Sequence, residues 1–125
     1  MEPITSNKND LPIFVKWMDF LEWLMPVTEK VPRRVRASYA TRVESLALDV
    51  AQALVVARYT RTTEAHLQPI NLLIEQLRIL LRLGHRLNYL SNESYRHGIR
   101  SIDEVGRMLG AWLKSVTSKS SRDRD

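Results

Sequence analysis

"QLRILLRLGHRLN", residues 76–88, decides how the chain folds. Leu77, Leu80, Gly84 and Leu87 recur at spacings of three and four, which puts them on one side of a helix. Arg78, Arg82, His85 and Arg86 stand between them. No Asp or Glu occurs from residue 76 to residue 92. Such a helix needs apolar partners along one side and negative charge along another.

The partners come from the rest of the chain. The stripe extends back to Ile70 and Leu73, so this helix spans about residues 63–90. Pro69 lies near its start, and the regular part is expected to begin just before it. Residues 11–29 carry Phe14, Trp17, Leu21 and Leu24 at helical spacing. Asp10 suits the N-cap there and Pro12 the first turn, while Pro26 is expected to kink or end the helix. After Pro32 a second pattern runs to about Arg61, with Tyr39, Val43, Leu46, Val50, Leu54 and Ala57 in line. Leu48, Ala51 and Val55 fall off that line, so this helix is apolar on more than one side and predicts burial on more than one side. "SNES", residues 91–94, breaks the third pattern and caps a fourth over about 94–117, with Ile99, Ile102, Val105, Leu109, Trp112 and Val116.

Strand-like alternation of useful length is absent, as are internal repeats. The fold class is therefore all-α, an antiparallel up-down four-helix bundle over residues 11–118. Residues 1–10 are expected to be a flexible N-terminus, and residues 119–125 a disordered polar tail. At 125 residues the chain is long enough for one domain with a real core. With no cysteine there is no disulfide framework and no thiolate metal site. The start, "MEPITSNKND", has no basic region followed by an apolar one, so no signal peptide is expected. The longest apolar runs, such as "ALVVA" at 53–57, fall far short of the ~18 residues of a membrane span. A cytoplasmic, membrane-free protein is expected.

The net charge of +5 is mild, so its placement matters more. Antiparallel order puts the first and third connectors at one end of the bundle. Lys30, Arg33, Arg34, Arg36 and Arg42 follow one another without an acid from residue 30 to residue 43. Arg82 and Arg86 approach the same end, and Arg96, His97 and Arg100 leave it. Glu29 and Glu93 are too few to balance them. Arg78, Arg82 and Arg86 repel at i,i+4 by roughly 0.2–0.5 kcal/mol per pair. Arg33, Arg34 and Arg36 lie near a helix N-terminus, where the dipole disfavours cations. Each arginine alone can be a solvated side chain with its stem on apolar surface. Their convergence points to an external polyanion or an acidic protein. In the fourth helix, Asp103 and Glu104 are expected to pair with Arg100 and Arg107.

No catalytic pattern accompanies this charge. His66, His85 and His97 are scattered, and there is no HExxH, phosphate loop or G-x-S-x-G string. Asp103 and Glu104 are adjacent on a helix and point apart, poor geometry for paired acid/base work. No metal, cofactor or enzymatic activity is expected. "GRMLG", residues 106–110, reads as close helix packing, because glycine lets backbones approach.

"VPRR" at 31–34, "TRVESLALDVAQALVVA" at 41–57, "LRILLRL" at 77–83 and "EVGRMLGAWLKSV" at 104–116 resemble the accessory variability determinant family of diversity-generating retroelements. The resemblance covers about residues 11–118. It implies a homopentameric barrel of four-helix bundles that binds the element's reverse transcriptase and nucleic acid, RNA or DNA. It also implies a non-catalytic role in mutagenic cDNA synthesis. The basic positions it carries over are Arg33, Arg42, Arg78, Arg82 and Arg107. "RYTRTTEAHLQP" at 58–69 departs from the family pattern and leaves the turn between helices two and three open. A structural four-helix oligomer, like the small proteins encoded in ribosomal RNA intervening sequences, is the other reading. A purely structural oligomer of that kind would have no reverse transcriptase partner.

Overall fold

Trp17 and Phe20 stack on each other in the first helix, with ring centroids 4.7 Å apart, and the second helix closes over them. The Trp17 Nε1–H donates to the Ala47 carbonyl at 2.9 Å, which satisfies the indole without water. The computed structural model describes residues 11–124. The Asp10 cap and the expected flexible segment 1–10 lie outside them.

Helix α1, Leu11–Glu29, buries Ile13, Trp17, Phe20 and Leu24, while the expected Phe14 and Leu21 are half-buried at the edge of the stripe. Pro26 stays inside the helix without ending it. The end comes at Glu29, where Lys30 N–H to Val27 O and Val31 N–H to Thr28 O tighten the last turn. The next stretch is less regular than expected. Arg33–Val35 is a 3-10 turn, Arg36–Ala40 a π turn, and α2 proper runs Thr41–Arg58. The wide turn buries Tyr39 and Ala40 side by side and leaves Arg36, Ala37 and Ser38 outside. The Arg36 carbonyl accepts the Thr41 N–H and also, at 2.9 Å, the Thr41 Oγ1 hydroxyl. All six stripe residues from Tyr39 to Ala57 are buried, as the periodicity predicts.

Helix α3 is Thr63–Arg86, so Pro69 sits well inside it and not at its start. Its C-terminus comes earlier than the expected Leu90. Asn88 adopts the left-handed conformation, φ 63°. The Tyr89 N–H then reaches the Gly84 carbonyl (2.7 Å) and the Asn88 N–H the His85 carbonyl (3.2 Å). This double closure satisfies carbonyls that a helix end otherwise leaves free, and Asn tolerates the conformation better than most residues. The expected stripe therefore loses Leu87, which is exposed, keeps Leu73 and Leu80 only half-buried, and gains Ile74, Leu81 and Leu90, which are buried.

Ser91 Oγ accepts the Ser94 N–H at 3.0 Å and caps α4, Asn92–Arg124. Its last described residue is Arg124. No Pro or Gly follows Gly110, so nothing interrupts the backbone ladder. Ile102, Val105 and Leu109 are buried, and Ile99, Trp112 and Val116 pack half-buried against the core. The expected packing at Gly106 and Gly110 is absent: a Cβ on either would meet nothing within 4 Å. α1 lies beside α2 and α4, and α3 lies beside the same two. That is the expected four-helix bundle, and the described residues contain no strand. Among them no helix is long and apolar enough to cross a membrane.

Tyr39 ties the parts together. Its hydroxyl donates to the Leu80 carbonyl at 2.5 Å, and its ring meets Tyr89 edge-on at 5.2 Å. It fills a notch over Gly84, where an added Cβ would strike the hydroxyl and lie 2.8 Å from Cζ. Gly84→Ala is therefore expected to cost ~1–3 kcal/mol by overpacking, read as a lower urea midpoint. Burial also pushes the Tyr39 phenol up to about 12 from 10.0. The folded state thus stays protonated where the unfolded chain ionises. This contribution to stability is complete below pH ~10 and is lost as pH rises through ~12. Tyr39→Phe is expected to be less stable at neutral pH and to show a shallower loss between those limits, measured by urea titrations across the range.

Candidate functional site

Two connectors meet at one end of the bundle. The Arg34 guanidinium, from the first, lies 6.0 Å from the Tyr89 ring centroid, in the third. Trp23 at the end of α1 packs on His97 at the start of α4, with centroids 4.7 Å apart. The end is thus built as the antiparallel order predicts.

Its cations differ in how they are held. Arg33, Arg34, Arg36, Arg82, Arg86, Arg96 and Arg100 are all exposed. Arg36 Nη2 donates to the Glu29 carbonyl at 2.6 Å, where the end of α1 presents unsatisfied carbonyls. Arg34 uses the face of Tyr89, an attraction worth roughly 0.5–1 kcal/mol when exposed. Arg100 Nε reaches the Arg96 carbonyl at 3.4 Å. His85 lies flat against Tyr95, centroids 4.4 Å apart and planes 7° apart, and its Nε2 is 2.5 Å from Asn92 Oδ1. Arg42 and Arg107 are exposed as well, on the first turn of α2 and the middle of α4.

Arg78 is held differently, by acids of the chain itself. Its guanidinium pairs with Asp103 of α4 and, at 3.3 Å, with Glu75 one turn back. The Asp103 hydrogen bond is the main reason its pKa is raised. The charge that Arg78 faces is therefore inside the chain. Asp103 is not the partner of Arg100 or Arg107, and Glu104 pairs with Lys16 of α1 at 3.1 Å. Helix spacing proposed local pairs, but both acids lie on sides of α4 that meet neighbouring helices.

The aromatic members of this end, Tyr39, Tyr89 and Tyr95, carried no functional reading in the sequence. "NYLSNESYRH", residues 88–97, held the signal: tyrosines beside a capping string, an arginine and a histidine. At the opposite end an open cleft is lined by Arg61, Glu64, Gln68, Leu72, Leu113 and Val116. Among the described residues no group of three or more His, Asp or Glu could hold a metal ion.

Fold and charge together define a small, basic four-helix-bundle protein. The sequence model of the bAvd-like family matches residues 13–116, and the chain belongs to that family, the accessory variability determinants of diversity-generating retroelements. These are accessory, non-catalytic proteins. No curated protein matches the chain.

The Arg78–Asp103 pair joins α3 to α4 in a partly exposed setting, so its coupling is expected to be modest, ~0.2–1 kcal/mol. A double-mutant cycle of Arg78→Ala and Asp103→Ala, read by urea unfolding, should return a favourable coupling of that size. Additive losses would show the pair to be energetically silent.

Proposed function

We propose that the protein binds the reverse transcriptase of its element, and RNA or DNA, through the cationic connector end. In this reading it supports mutagenic cDNA synthesis by holding polymerase and nucleic acid together, in the cytoplasm, without chemistry or cofactor of its own. The observation that carries it is the meeting of two connectors that expose Arg33, Arg34, Arg36, Arg86 and Arg96 at one end. Clustered guanidinium groups bind phosphate well because each offers several N–H donors in a fixed fork. Tyr89, half-buried under Arg34, adds an aromatic surface of the kind that stacks on bases. Arg42, Arg82, Arg100 and Arg107 extend the positive surface away from this end. Arg78 has a weaker claim, since its charge is answered by Asp103.

We also propose that the working form is a homo-oligomer, the pentamer that the family resemblance implies. Its support is apolar surface a single bundle leaves uncovered, with Leu48 49% and Val55 40% exposed. Isolated monomers seldom keep large contiguous surface of this kind.

The test is binding to a single-stranded RNA and to the element's reverse transcriptase at several salt concentrations. Affinity for RNA should fall steeply with salt, because each phosphate contact releases counterions. Arg33→Ala, Arg34→Ala and Arg96→Ala together should reduce the salt slope by about two to three with helicity retained. Affinity independent of salt, or a triple variant that binds RNA and polymerase like the parent, would sink the reading.

A further inference from the structure

The outer side of α3 carries a row of exposed apolar residues, broken by Glu75 and Gln76 between Leu72 and Ile79 and ending at Leu87, just past the last turn. Leu72 is 67% exposed, Ile79 64%, Leu83 43% and Leu87 49%. Their spacings of seven, four and four draw one line, opposite the buried Ile70, Ile74, Leu77 and Leu81. At 1.5 Å per residue the line is about 22 Å long. Arg82 and Arg86 border it, both exposed. Glu75, the acid nearest them on the helix, is held by Arg78.

A second apolar surface lies across α1 and α2. The Trp17–Ala47 hydrogen bond sets these helices in register, so the next residues, Met18 and Leu48, stand at one level. Met18 is 57% exposed, and Val55 continues the surface two turns along α2 from Leu48. Here the border is acidic: Glu22 and Glu29 are exposed along α1.

We infer that protomers join head to tail, the α3 stripe of one copy seated on the α1–α2 surface of the next. This rests on the oligomeric part of the reading above and adds which faces meet. Charge decides the pairing. A parallel stripe-on-stripe contact would oppose Arg82 and Arg86 to their own copies, and an antiparallel one would offer them only Glu75, already held by Arg78, whereas stripe against α1–α2 sets them against Glu22 and Glu29. Two different faces make a heterologous contact, which closes into a ring when the rotation allows.

The levels agree as well. α1 and α3 run the same way, so rotation about an axis parallel to the bundle keeps each residue at its height. Tyr39 bonds to Leu80, and Ala47 lies eight positions on along the antiparallel helix. Ala47 is therefore about level with Leu72, and Met18 and Leu48 come level with the stripe. Glu29, at the connector end, comes to the height of Arg86. Part of the negative charge that the acid-free segment lacks is then supplied by a second copy.

The experiment uses two single variants of the full chain, Ile79→Asp and Leu48→Asp, each spoiling one face. The parent should show an oligomeric mass by light scattering, and each variant alone the mass of one protomer. An equimolar mixture should form a one-to-one heterodimer, because each variant keeps the face its partner lacks. A variant that stays oligomeric alone, or a mixture that stays monomeric, overturns the assignment. Circular dichroism checks that both stay helical; should either lose helix, Ile79→Gln and Leu48→Gln repeat the test with uncharged side chains. A parent of single-protomer mass sinks oligomer and faces together. Parental mass unchanged in both variants sinks only the faces. RNA and polymerase binding, measured separately on the parent, judge the connector end on their own.

Discussion

The burial of Tyr39 over Gly84 is the contact on which the connector end depends. The π turn delivers the ring, the missing Cβ makes room for it, and the hydroxyl finds the Leu80 carbonyl. An unsatisfied phenol at this depth would cost roughly 1–3 kcal/mol, so the hydrogen bond and the notch must come together. Their joint effect fixes the first connector against the end of α3. Tyr89 then packs edge-on against Tyr39, and Arg34 rests over Tyr89. The position of a surface guanidinium thus follows from a core contact.

The bundle divides its cations by what lies across from them. Arg78 and Lys16 each meet an acid of α4 and join that helix to its two neighbours. Arg36 is turned back onto a helix end. The arginines at the two connectors have no comparable carboxylate among the described contacts, and they share one end. This division explains how a net charge of only +5 can still give a strongly positive region. The turns that carry these arginines are closed by backbone bonds and a cap.

The uncovered apolar residues follow the same logic. α2 and α3 each satisfy the core with one side and retain leucine, isoleucine or valine on the other. In a single bundle these residues face water, with acids beside one set and bases beside the other. The family to which the chain belongs supplies the setting, an accessory role in a retroelement. The described surface thus separates one end rich in arginine from two sides rich in exposed apolar residues.

The four helices were legible in the sequence because apolar spacing is a local property. Every stripe residue of α2 from Tyr39 to Ala57 is buried as its period demands, and the SNES cap lies close to its predicted place. The antiparallel order, and with it the meeting of the cationic connectors, followed from short connections alone. Helix ends were less legible. Asn88 can take a left-handed conformation, but whether it does depends on Tyr89 and Leu90 finding a place in the packed end. Charge pairing was the least legible, because i,i+4 rules see one helix and Arg78 found its acid on another. The glycines make the same point: Gly84 is a notch and Gly106 is open, though either could have packed closely by sequence. Period and charge run are written along the chain, whereas partner, notch and register arise only when four helices share one core.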